Sequence, residues 1–113
     1  MDFELIKCKD APEYLKRRDT FFVDLRTPEQ YGEYHLPGAY NYPYDRLAEW
    51  ENRLPYGRKI VLYCEHGNLS LMAAKRLSRR GYHVAALIGG VECFAAAQNF
   101  SSKNSIDRGF YTR

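Results

Sequence analysis

No stretch of this chain approaches the roughly 20 consecutive apolar residues that a membrane-spanning helix requires. Its first residues, Met1-Asp2-Phe3-Glu4, hold neither the basic region nor the apolar block of a signal peptide. A cytoplasmic protein with no membrane partner is the resulting expectation. Cysteines are few: Cys8, Cys64 and Cys93 are widely spaced and odd in number, which is not a disulfide framework. Neither charge sign dominates, with 17 Lys and Arg against 14 Asp and Glu and a formal net charge of +3. That balance attracts anions weakly and excludes a nucleic-acid binder built on a basic surface. Internal repeats, low-complexity blocks and linkers are missing as well. The 113 residues therefore read as one small domain over 1–98 with a polar tail over 99–113.

What is present is core-forming material. Hydrophobic residues make up 45% of the chain and aromatics 15%, including ten tyrosines, a richness that means packing rather than base stacking. Residues 3–6 read as a short strand, and Asp10-Ala11-Pro12-Glu13 as a capping box opening a helix to about Arg18. Phe21-Phe22-Val23-Asp24 is a buried strand. Thr27-Pro28-Glu29-Gln30 starts a short helix that ends before the Pro37-Gly38 turn. Ala39-Tyr40-Asn41-Tyr42 is a brief strand, and residues 44–53 form a helix with Leu47 and Trp50 inward. Strands at 59–63 and 83–88 flank a helix that runs from about Ser70 to Gly81. In it Leu71, Ala74, Leu77 and Ser78 make the core face, while Lys75, Arg76, Arg79 and Arg80 point to solvent. After Gly89-Gly90 a last helix is expected at about 91–97. Strands alternating with short helices imply an α/β fold, an open parallel sheet with helices on both faces.

The most informative residue is Cys64. It ends the apolar run Lys59-Ile60-Val61-Leu62-Tyr63, and Glu65-His66-Gly67-Asn68-Leu69-Ser70 follows it. A parallel strand delivers a side chain to its carboxyl end, where α/β sheets bind ligands. A helix starting just beyond leaves unpaired N–H groups and a positive dipole end facing the loop. Such a place binds anions and favours thiolate over thiol. Gly67 suits a positive φ that would turn successive amides inward, Asn68 tolerates a similar conformation, and Ser70 fits a helix cap. His66 reads mainly as an exposed loop residue and Glu65 as solvent-facing, near enough to disfavour dianions. Two ligands, Cys64 and His66, make weak evidence for a metal, so none is assigned.

Three separated segments resemble the rhodanese family of sulfurtransferases. The first is Val23-Asp24-Leu25-Arg26-Thr27-Pro28-Glu29-Gln30-Tyr31 with His35-Leu36-Pro37-Gly38-Ala39; Tyr34 stands where glycine is common. The second is the loop Cys64 to Ser70. The third is Leu87-Ile88-Gly89-Gly90-Val91-Glu92-Cys93-Phe94, where the family often has tryptophan at the last position. The resemblance implies a rhodanese-like, five-stranded parallel sheet flanked by helices. It implies a Cys64 thiolate that takes sulfur from a small anionic donor such as thiosulfate, forms a persulfide, and passes the sulfur to a thiol or cyanide-like acceptor, with no cofactor. The loop from Glu65 to Ser70 would hold the substrate. Asp24 and Arg26, at the end of a neighbouring strand on the Cys64 side, read as a structural ion pair, with substrate binding as the alternative, and His35 as a hydrogen-bonded residue of the signature turn. Cys93 reads as a packed thiol.

Two other function classes compete. A tyrosine-phosphatase-type enzyme needs arginine six positions after the cysteine to grip phosphoryl oxygens, and that position holds Ser70. A weakly active sulfur-carrying, sensing or interaction module is favoured by Glu65 and Leu69, which stand in a loop where active relatives often carry a basic residue.

Overall fold

Apolar runs without polar alternation, such as Phe21-Phe22-Val23 and Ile60-Val61-Leu62, suit strands covered on both faces. The computed structural model describes residues 3–90. In it these runs are β2 (Thr20–Asp24) and β4 (Lys59–Tyr63), parallel neighbours in which every residue is buried. With β1 (Glu4–Ile6), β3 (Tyr40–Asn41) and β5 (Val84–Leu87) they form a five-stranded, wholly parallel sheet in the order β1-β5-β4-β2-β3.

Alternation along each strand sends side chains to two cores. Phe21, Val23, Ile60, Leu62, Cys64, Val84 and Ala86 pack on one face. There they meet Leu47 and Trp50 of α3 (Leu47–Trp50) and Ala73, Ala74 and Leu77 of α4 (Asn68–Arg79). Phe22, Val61, Tyr63, Ala85 and Leu87 pack on the other, under Ala11 of α1 (Ala11–Leu15) and under Leu36 and Ala39, which follow α2 (Pro28–Glu33). Cys64 therefore faces the layer that contains α4, the helix whose first turn begins four residues later.

Sheet order positions the site. The chain leaves β2 outward to the edge strand β3, and leaves β4 the other way, to β5. Between two neighbours whose connections diverge, the carboxyl ends open a crevice. The loops after Asp24 and after Tyr63 line it.

Several local expectations need correction. Asp10 is no cap: a 3-10 turn over Cys8–Asp10 runs straight into α1, so its backbone is already helical and its side chain caps nothing. That helix ends at Leu15 rather than near Arg18. The segment over 44–53 splits into a 3-10 turn, Tyr44–Arg46, and the single turn of α3. Cys8 is disulfide-bonded, whereas Cys64 is a free and buried thiol. The expected helix at 91–97, Cys93 and the tail over 99–113 lie outside the described residues. No helix among the described residues is long and apolar enough to cross a membrane.

Candidate active site

Strand β4 ends at Tyr63, and the next residue turns its sulfur under the start of α4. The Gly67 N–H donates to Cys64 Sγ at 3.1 Å and the Ser70 N–H at 3.4 Å. Gly67 makes this possible. It is the residue before α4 and has a φ of +102°, a left-handed conformation that glycine adopts without strain. A Cβ there would also lie 3.1 Å from the Gly89 nitrogen. Ser70 is not the cap that its position suggested. It lies in the first turn of α4, where its hydroxyl donates to the Gly67 carbonyl at 2.8 Å while its amide faces the sulfur. Asn68 opens the helix. The sulfur is thus held by two backbone donors and by the positive end of a 12-residue helix.

The loop is braced from below by the turn after β5. Gly90 has a φ of +65°, and a Cβ on it would lie 2.3 Å from the Cys64 carbonyl oxygen and 2.7 Å from that of Glu65. Only glycine lets the two backbones approach so closely. The Gly89-Gly90 pair thereby fixes the height of the loop that follows Cys64.

Across the crevice, β2 supplies a rigid ion pair. Arg26 Nε donates to Asp24 Oδ1 at 3.1 Å and its Nη2 to Oδ2 at 2.9 Å, and the Arg26 backbone amide donates to Oδ1 as well. Nη2 also donates to the Tyr34 carbonyl at 2.6 Å. Both side chains are buried. Burial works against the arginine's charge, and the Asp24 carboxylate outweighs it, so the guanidinium is more basic than usual. The remaining nitrogen, Nη1, turns to Glu65, whose Oε1 lies 3.5 Å away. Glu65 is therefore not simply solvent-facing, as expected, but leans back across the crevice onto Arg26.

A cavity of about 360 Å³ opens above Cys64, lined by Arg26, Pro28, Glu29, Asp45, Glu65 and Leu69 among others. Asp24 stands behind Arg26 rather than in it. His66 is exposed and borders a separate groove with Gly67, Asn68 and Leu71. His35 is not in the cavity either; its ring stacks on Tyr31 at 3.7 Å and its Nδ1 lies 2.9 Å from the Tyr31 carbonyl. Glu29 and Asp45 went unassigned in the sequence. For Glu29 the signal was its place just beyond Arg26; nothing local marked Asp45. No group of three His, Cys, Asp or Glu side chains among the described residues could hold a metal.

A family model for the rhodanese-like domain matches residues 7–97. The chain belongs to the rhodanese-like family. It is 30% identical over 105 residues to the thiosulfate sulfurtransferase GlpE of Coxiella burnetii, covering 92% of this chain and 98% of the relative. Among solved structures it resembles a rhodanese-related protein of Thermoplasma volcanium, with a TM-score of 0.78, 25% identity, and 84% and 93% of the two chains covered. A rhodanese homologue of Thermus thermophilus aligns at 30% identity and a TM-score of 0.65, covering 80% of this chain and 99% of that one.

Proposed function

We propose that this rhodanese-like protein is a sulfurtransferase that carries sulfane sulfur as a persulfide on Cys64. The observation that carries the reading is the free thiol at the carboxyl end of β4, aimed at by two backbone amides and open to a cavity. The Cys64 thiolate attacks the outer sulfur of a donor. With thiosulfate, the S–S bond breaks, its electron pair leaves on sulfite, and the persulfide anion remains on Cys64. The amides of Gly67 and Ser70 are placed to follow the negative charge as it moves to the new terminal sulfur, as an oxyanion hole follows oxygen. A thiol or cyanide acceptor then takes that sulfur and restores the thiolate. This is nucleophilic catalysis without a separate base. Ser70 in place of a phosphate-gripping arginine counts against a phosphatase.

The test is the intact mass after incubation with excess thiosulfate. One added sulfur, removed by cyanide and absent in Cys64→Ser, supports the reading. An unchanged mass with every donor tried contradicts it. The Glu65–Arg26 pair favours a second reading, a slow sulfur carrier or sensor. There the persulfide would form, but its turnover with thiosulfate would be slow.

A further inference from the structure

Most of the Arg26 guanidinium is already committed. Nε and Nη2 are held by Asp24 and Tyr34, and Glu65 stands before Nη1. Glu65 gains little in return. Its Oε1 is buried and accepts no hydrogen bond among the described residues, because 3.5 Å to Nη1 is an ion-pair distance rather than a bond. A buried acceptor left unmet is costly, and the Glu65 side chain, 38% exposed, still reaches the cavity. Around it the cavity carries two more carboxylates, Glu29 and Asp45, and among the described residues no cation besides Arg26. The amide cradle thus serves the sulfur itself, while the wall where the rest of the donor must sit is acidic.

We propose that this wall selects the donor by charge. On the reading that Cys64 is the sulfur-accepting nucleophile, its donor is the persulfide of a small aminothiol, with the ammonium group docked on Glu65. An ammonium brings three donors and a positive charge to the Glu65 carboxylate, whereas thiosulfate brings no donor and carries two negative charges. The step balances: the Cys64 thiolate attacks the outer sulfur of R–S–SH, the donor's S–S bond breaks, its pair leaves on R–S⁻, and Cys64 keeps S–SH with its proton. Glu65 is then a specificity-determining residue.

The experiment compares persulfides generated in situ from the trisulfides of cysteamine, 2-mercaptoethanol and 3-mercaptopropionate. Each loading rate on Cys64 is followed by intact mass and divided by the donor's rate with a free small thiol, which removes intrinsic reactivity. The expected order is cationic, neutral, anionic, with about tenfold between the extremes, and a spread that shrinks as salt rises. In Glu65→Gln, whose fold is checked by circular dichroism, the spread should contract about fivefold. Equal normalised rates, a faster anionic donor, or an unchanged spread in Glu65→Gln would overturn the charge selection and leave sulfur transfer standing. Failure of all three donors to load Cys64 would remove the sulfurtransferase reading and this inference with it.

Discussion

At the scale of single residues, two glycines with similar backbone angles should behave differently, because only one has a neighbour in the way. Gly38 has a φ of +79° and open space around the missing Cβ; Gly90 has a φ of +65° and the Cys64 and Glu65 backbone against it. Gly38→Ala should lose only the left-handed penalty, about 1 kcal/mol. Gly90→Ala must in addition push two chain segments apart, and should lose at least about 3 kcal/mol and most of the sulfur uptake. Urea denaturation of both variants checks this; equal losses would mean that the turn does not brace the loop. Leu69, also on the cavity wall, offers a gain rather than a loss. Leu69→Arg supplies a fork-shaped anion ligand. It should lower KM for thiosulfate several-fold while kcat changes less, as an effect on binding does. Steady-state kinetics at low and high salt decide it, and an unchanged KM at low salt would contradict it.

At the scale of elements, α4 is fastened by a feature that its own sequence hides. The expected solvent face of basic residues is only partly that. Arg76 donates to Glu51 through Nε at 2.8 Å and Nη2 at 2.9 Å, and Arg80 adds a bond at 3.0 Å, so one buried carboxylate just after α3 takes two arginines from α4. Leu71, expected in the core, is exposed; Ala73 is buried instead, because the face of α4 that packs on the sheet is Ser70, Ala73, Ala74, Leu77 and Ser78, and Leu71 falls outside it. The Arg76 hydrogen bond holds the Glu51 carboxyl below its usual range. A carboxyl so lowered contributes stability that is full above its unfolded value and is lost as pH falls through the folded one. Glu51→Gln should therefore be less stable than the native protein by about 2 kcal/mol near neutrality, and the gap should narrow in acid. Urea midpoints at about pH 7 and about pH 3 measure it. A gap that stays constant would show that the arginines do not act through the Glu51 charge.

At the scale of the whole molecule, the sheet and the place of Cys64 at a strand end were legible because both are written locally. An apolar run after the Asp19-Thr20 break marks β2, runs beside the Pro55-Tyr56-Gly57 and Gly89-Gly90 turns mark β4 and β5, and Cys64 sits just past the end of β4. The helix start at Thr27 was legible for the same reason, and its side chain does accept the Gln30 amide. The pairing of Glu65 with Arg26 was not, since it depends on the chain crossing back over β2 from the edge strand β3 to insert β4 on the other side of β2. The meeting of Asp45 with Cys64 in one cavity, and of Glu51 with Arg76, likewise needs the tertiary fold. Whether this crevice at the diverging ends of β2 and β4 makes Cys64 a sulfur acceptor is decided by mass. The intact mass of the wild type and of Cys64→Ser is recorded after incubation with a sulfane-sulfur donor, and again after cyanide. One added sulfur is expected on the wild type, lost to cyanide, and none on the variant. Equal loading of a folded Cys64→Ser protein, or no loading of the wild type by any donor, would contradict it.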